Sequence, residues 1–338
     1  MKLHFTALAL SLLTSWLTPS ASFATDAPKT LRIGTLGGGF GKSFATGSFA
    51  VMQAQKSLEE EFKAEGIKIE WTLFPAGPAI NEALANNSID FSDYGDLPTI
   101  IGKSVGVKTV MLAAGYRGNL TYIAVPASST AQKIEDLKGK HVGIAKGTYF
   151  HLAFVRKLES LGLTERDVKL VNVRSAEGQS AVATGDLDAF VGPATLTKLA
   201  EGGKIRILYN NKQEPEDWKG TNALLVQEAF LKKYPDITKR FLKRFLLAAQ
   251  WRSDESHREE AQQLDSRAGT DIRLVQETQS GLTLAQLYNP RFDEAFIAHY
   301  KNAISLAKQT GLIQKEFDVE PWINRELLEQ ALSEIGWR

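Results

Sequence analysis

The stretch His141-Val142-Gly143-Ile144-Ala145-Lys146-Gly147-Thr148-Tyr149-Phe150-His151 reads as a short strand, a glycine turn and the start of a helix. The extended run covers residues 141–145. Gly147 permits a sharp turn, and Thr148 is placed to cap a helix over 150–161. A second extended run follows at 168–173, then a helix at 178–184, a strand at 188–191 and another extended run at 206–209. Strands separated by helical segments make βαβ units, and such units stack into a parallel sheet.

The same alternation extends upstream. Strands at 31–36 and 68–74 enclose a helix at 48–65, and a helix at 78–86 precedes a strand at 90–94. Residues 109–113, 120–126 and 222–226 are again extended. After Ala229 the pattern is helical, over 236–252, 274–283, 293–309 and 325–335. There is no internal repeat and no low-complexity linker. This pattern predicts an α/β chain with two lobes: 25–117, then 118–215, then a return to the first lobe over 216–338. The chain crosses near 118–126 and 211–222, and the C-terminal helices pack mainly on the first lobe. Ligands of open α/β sheets sit beyond the carboxyl ends of the strands, so two facing lobes enclose a cleft that a hinge can close.

The first residues predict export. Met1-Lys2 supplies a positive start, residues 5–17 are apolar, and Ser22-Phe23-Ala24 offers small residues to a signal peptidase. Residues 1–24 are read as a cleaved signal peptide, because the apolar core is shorter than the roughly 20 residues of a span. Roughly 310 residues then remain, enough for two domains. There is no cysteine, which removes disulfides, Cys-ligated metal, thiol nucleophiles and lipid attachment through an N-terminal Cys. The expectation is a free monomer in the periplasm. With 40 basic and 39 acidic residues, no broad basic face for nucleic acid is expected.

Candidate contacts fall at strand ends. Gly37-Gly38-Gly39-Phe40-Gly41-Lys42 allows close backbone approach to an anion, and its spacing fits neither a P-loop nor a dinucleotide fingerprint. Tyr94-Gly95-Asp96 ends a strand and opens a helix, with Asp96 read as a helix cap or a ligand contact. At Gly147-Thr148-Tyr149, the N–H groups of a helix start form an anion site without a charged side chain. Tyr116-Arg117 lies before a crossing, and a guanidinium suits three-oxygen anions; its alternative is a surface or hinge ion pair. His151, Ser175 and Thr195 complete the candidates. Five scattered histidines, with no His-Glu-x-x-His run and no Gly-x-Ser-x-Gly elbow, give catalysis and metal binding little support. No cofactor is expected.

The run 137–148, with His151 and then Val155-Arg156, resembles the second-lobe signature of aliphatic-sulfonate-binding proteins, relatives of the taurine, nitrate and pyrimidine-precursor binders. Gly311-Leu312-Ile313 resembles a further phrase of that family. The resemblance implies a type II periplasmic-binding-protein fold with a two-crossover hinge. It also implies a partner, a membrane ABC permease with a cytoplasmic ATPase, to which the protein delivers a small organic anion such as a sulfonate or sulfate ester. Gly147-Thr148 stands at the family's helix start, which receives sulfonate oxygens, Gly95-Asp96 at its Gly-Glu or Gly-Asp before prolines, and Tyr116-Arg117 in its hinge-side ligand loop. The sequence departs from the family at Asp188-Ala189-Phe190-Val191-Gly192-Pro193-Ala194-Thr195, where a Trp-x-Pro phrase is usual; the cleft floor is expected to be roomier. The rival readings are a binder of nitrate, taurine or a pyrimidine precursor, a periplasmic sensor subunit, and a same-fold pyrimidine-precursor enzyme.

Overall fold

The computed structural model describes residues 27–36 and 44–338. The leader over 1–24 and the candidates Gly39, Phe40 and Gly41 lie outside the described residues.

The chain builds two five-stranded sheets. β1 (Thr30–Leu36) leads to α1 (Gly47–Gln55), α2 (Ser57–Glu61), β2 (Lys68–Phe74), α3 (Gly77–Ala85), β3 (Phe91–Gly95), α4 (Asp96–Ser104) and the long β4 (Thr109–Asn119). The second sheet follows with β5 (Tyr122–Pro126), β6 (His141–Ile144), α5 (Tyr149–Ser160), β7 (Lys169–Asn172), α6 (Ser175–Thr184), β8 (Ala189–Gly192), α7 (Leu196–Glu201) and β9 (Ile205–Asn210). β10 (Gly220–Gln227) returns to the first sheet. Seven helices close the chain: α8 (Glu228–Lys233), α9 (Pro235–Ser253), α10 (Arg258–Arg267), α11 (Ile272–Gln279), α12 (Leu284–Leu287), α13 (Glu294–Gln309) and α14 (Arg325–Glu334).

Strand orders are β2-β1-β3-β10-β4 and β7-β6-β8-β5-β9. Four strands of each sheet point one way, and three of them (β2, β1, β3 and β7, β6, β8) pair directly in parallel, as the βαβ pattern requires. The strand each sheet gains by a crossover, β10 or β5, runs antiparallel to both of its neighbours. The βαβ pattern accounts for the parallel pairs and does not reach these two strands: a chain that returns through a hinge enters the sheet from the opposite end.

The single helix expected over 48–65 is two, broken at Lys56, whose left-handed φ of 50° caps α1 through its own N–H. The two separate extended runs expected at 109–113 and 120–126 are a strand continuing to Asn119, then β5.

One core joins β1, β3, β4 and β10 to α1, α9, α13 and α14, with Phe91 stacked on Phe241 at 3.8 Å between centroids. Leu152 and Val155 of α5 reach into that same core, so the lobes meet through α4 and α5. The crossovers run through Leu120-Thr121 and residues 211–219. Asn211, 1% exposed, pins them together: its carbonyl oxygen accepts the Thr121 N–H at 2.8 Å and its amide donates to the Trp218 carbonyl at 2.9 Å. Among the described residues no helix is long and apolar enough to cross a membrane.

Candidate functional site

The carboxyl ends of β1, β3, β6, β7 and β8 face one cleft, where two cavities lie side by side. The larger, about 540 Å³, is bounded by Leu36, Gly77, Gly95 and Pro98 of the first lobe and by Lys146, Thr148, Tyr149, Arg174 and Ser175 of the second. The smaller, about 310 Å³, is lined by Thr35, Asp93, Tyr116, Asn119, Tyr149, Thr195, Asn222 and Asp265, among others. Tyr149 and Leu36 line both.

Thr148 occupies the N-cap position of α5, 7% exposed, with extended backbone. Its hydroxyl does not cap the helix but donates to the Ala145 carbonyl at 2.7 Å. Among the described residues, no acceptor takes the N–H groups of Tyr149 and Phe150. Tyr149 and Phe150 line the larger cavity, and at a helix N-terminus the dipole favours negative charge. Gly147 holds φ 74° there, a left-handed turn that favours glycine. Its own N–H is taken by His151 Nδ1 at 3.2 Å.

Because Nδ1 accepts, the proton of His151 sits on Nε2, which donates to Glu165 at 2.5 Å. His151 is buried and lines neither cavity; its two ring nitrogens brace the turn against Glu165. Lys146 and Arg174 line the larger cavity, both exposed, and neither side chain has an ion-pair partner among the described residues. Arg174 also precedes the first turn of α6. Neither was singled out from the sequence; Arg174 carries the same signal as its neighbour Ser175, a polar residue just beyond a strand end.

Three further candidates do not face the cavities. Tyr94 is 1% exposed and donates its hydroxyl to Asn81 at 2.7 Å. Asp96, 1% exposed, has both oxygens occupied: Oδ1 accepts the Leu97 N–H at 2.6 Å, and Oδ2 accepts the Thr221 N–H at 3.1 Å and His299 Nε2 at 2.8 Å. It fastens α4 to β10 and α13. Arg117 turns to Asp293, with Nη1 2.9–3.0 Å from both carboxylate oxygens, and its other arm donates to the Arg291 carbonyl at 2.5 Å. The ion-pair alternative describes Arg117, whose guanidinium is turned to Asp293 and lines neither cavity.

Gly95, Tyr116, Thr148, Tyr149, Ser175 and Thr195 do line the cavities. The Tyr149 ring lies on two glycines of the first lobe. A Cβ at Gly220 would come 2.9 Å from its Cδ2, and one at Gly95 would come 3.4 Å from its Cδ1. Burial pushes the Tyr149 hydroxyl well above the usual phenol range, with Tyr116 and Asp96 adding to the effect.

In the smaller cavity the two carboxylates differ. Asp265 is saturated, bonded by both arms of fully buried Arg252 at 3.1 and 2.5 Å and by the Gly47 N–H at 3.2 Å. Asp93, 8% exposed, has one oxygen sealed against Gly115, where an added Cβ would sit 2.2 Å away. That oxygen has no partner among the described residues. Burial pushes Asp93 up to about 7, against the opposing pull of the Asn222 amide. Asn222 is itself held by Asn119, 2.9 Å away. Among the described residues, no Lys, Arg or His lines this cavity. Among the described residues, no group of His, Cys, Asp and Glu could hold a metal.

The chain is 28% identical over 283 residues to an aliphatic sulfonates-binding protein of Bacillus subtilis (strain 168), covering 82% of each. It is 31% identical over 188 residues to one of Escherichia coli (strain K12), covering 55% of this chain and 56% of that one. Among solved structures, the periplasmic sulfonate-binding protein SsuA of Methylobacillus flagellatus KT, of a sulfonate ABC transporter, superposes with a TM-score of 0.78. It is 30% identical and the match covers 92% of this chain and 96% of that one. The two-sheet, two-crossover architecture is thus the periplasmic-binding-protein fold expected from the sequence. The profile described as "NMT1/THI5 like" matches residues 61–256, more than half of the chain, and the chain belongs to the NMT1/THI5-like family.

Proposed function

We propose that this chain is the periplasmic solute-binding component of an ABC importer, that it captures an organic sulfonate or sulfate ester, and that it catalyses no reaction. The observation that carries the reading is the larger cavity, where the open N-terminus of α5, Lys146 and Arg174 converge between two lobes joined by two crossovers. The sulfonate oxygens receive the Tyr149 and Phe150 N–H groups, and the two cations neutralise the charge without direct burial. Closure excludes water and strengthens these charge-assisted bonds. The closed form is then read by the permease. Export through the N-terminal leader places the protein where its sulfonate-binding relatives act. Capture is favoured over catalysis because the buried histidines are consumed by structural bonds, His151 to Gly147 and Glu165, and His299 to Asp96 and the Asp217 carbonyl.

The test is calorimetry on the mature protein with alkanesulfonates, sulfate esters, nitrate and alkylcarboxylates. A sulfonate or sulfate ester should bind at micromolar Kd or better, about 8 kcal/mol. The Lys146→Ala, Arg174→Ala double variant should bind it about tenfold or more weakly, with a flatter salt dependence than the wild type. Binding confined to nitrate or carboxylates, or unchanged in the double variant, would refute the assignment.

A further inference from the structure

Tyr149 and Leu36 line both cavities, so one ligand can reach from the start of α5 into the smaller space. Neither acid of that space is free for a charged group. Asp265 is saturated by Arg252 and Gly47, while Asp93 holds the Asn222 amide with one oxygen and has the other sealed against Gly115. What the wall does hold is neutral polar groups without partners. The hydroxyls of Thr35, Tyr116 and Tyr149, and the end of the Gln279 amide turned away from Gln262, make no hydrogen bond among the described residues. None of these four is sealed inside the protein. Thr35 and Gln279 are each 3% exposed, so the little surface they keep lies at the cavity. Buried hydroxyls and amides are costly when unpaired. An alkyl tail entering here would strip them of water and return nothing, whereas a hydroxylated tail would pair them.

We propose that the captured ligand is a sulfonated or sulfated sugar, its anionic head at the start of α5 and its hydroxyl-bearing ring in the smaller cavity. Sugar hydroxyls both donate and accept, and the wall meets both needs. The Gln279 amide donates, and the Asn119 side-chain oxygen accepts, since its own amide is engaged with Asn222. The three hydroxyls do either. The Tyr116 ring, tilted on Tyr288 at 5.3 Å between centroids, gives the C–H face of a sugar an apolar surface. Size points the same way. Cavities of about 540 and 310 Å³ exceed what a two-carbon anion fills, and sites for whole small molecules run to roughly 300–1,000 Å³. The inference rests on the proposed capture of a sulfonate or sulfate ester at α5.

The experiment separates the ring from the head. Five probes are titrated into the mature protein by calorimetry: 6-deoxy-6-sulfoglucose, glucose 6-sulfate, hexane-1-sulfonate, glucose 6-phosphate and glucose. At least one of the first two should bind about tenfold or more tightly than hexane-1-sulfonate, which has the head and the length without the hydroxyls. Which of the two it is tells a carbon-bound sulfonate from an ester. In the Thr35→Val, Tyr116→Phe double variant, that preference should fall by about fivefold or more. Both changes delete a hydroxyl without a protein partner and keep the bulk, so the fold is not at stake. Hexane-1-sulfonate binding as tightly as both sulfur-bearing sugars, or a preference unchanged in the double variant, overturns the sugar and leaves sulfonate capture standing. Binding of glucose or glucose 6-phosphate as tight as that of the sulfur-bearing sugars overturns the sulfonate head. No binding of any probe overturns both.

Discussion

Asp93→Asn should stabilise the unliganded protein at alkaline pH and do so progressively less as the solution is acidified. An aspartate in an unfolded chain titrates near 3.9, whereas burial holds Asp93 at about 7 in the fold. The folded state therefore binds more protons between pH 4 and 7. The stability linked to Asp93 is fully present below about pH 4 and is lost as pH rises through about 7. At 1.36 kcal/mol per pH unit the gap amounts to roughly 4 kcal/mol at pH 8. Asn removes that penalty and forfeits the charge-assisted bond from Asn222, which gives back about 1–2 kcal/mol. The expected net gain is about 2–3 kcal/mol at pH 8, shrinking to nothing or reversing by pH 5. Urea unfolding of both proteins at pH 5, 6, 7 and 8, compared at a common slope, reads the difference directly. A variant no more stable than wild type at pH 8, or a gain independent of pH, would refute the claim that Asp93 is a buried carboxylate left uncompensated by the fold.

Arg117→Ala should leave ligand affinity within about twofold while lowering stability by about 1–3 kcal/mol, since it strands Asp293 and the Arg291 carbonyl; paired calorimetry and urea unfolding check both halves, and a tenfold loss of affinity would return Arg117 to the binding site. Arg252→Met keeps the aliphatic bulk but leaves Asp265 unpaired and buried, so unfolding should cost roughly 3–5 kcal/mol less; a loss under about 1 kcal/mol would contradict the pairing described. Gly220→Ala places a Cβ 2.9 Å from Tyr149, which should hold the lobes apart and weaken binding about tenfold. Small-angle scattering should then show a liganded radius of gyration above that of wild type, and equal compaction with unchanged Kd would count against Tyr149 as the contact that sets closure.

The lobes were legible in the sequence because each strand–turn–helix unit is local: apolar runs of strand length, a glycine or capping residue, then helical spacing. β2 falls on the residues read as a strand, and most other elements differ only at their ends. What escaped was long-range: that β10 and β5 run antiparallel is decided by the crossovers, and no run of residues encodes it. The site was half legible for a simpler reason. Successive residues on a strand point their side chains opposite ways, so two candidates that are consecutive near a strand end need not both meet the cleft with their side chains. Tyr116 and Arg117 were read as one ligand loop because the strand was taken to stop at Ala113. Since β4 runs on to Asn119, Tyr116 faces the cavity and Arg117 the C-terminal helices. The same alternation splits Asp93-Tyr94-Gly95, sending Tyr94 to Asn81 and leaving Asp93 and Gly95 on the cleft side. Asp93 stands mid-strand between Ser92 and Tyr94, and only the structure shows that all five positions of β3 are buried. A charge in that setting has to be compensated by something. The protein leaves one Asp93 oxygen unbonded and sealed against Gly115, and a proton meets that demand: burial lifts the group to about 7.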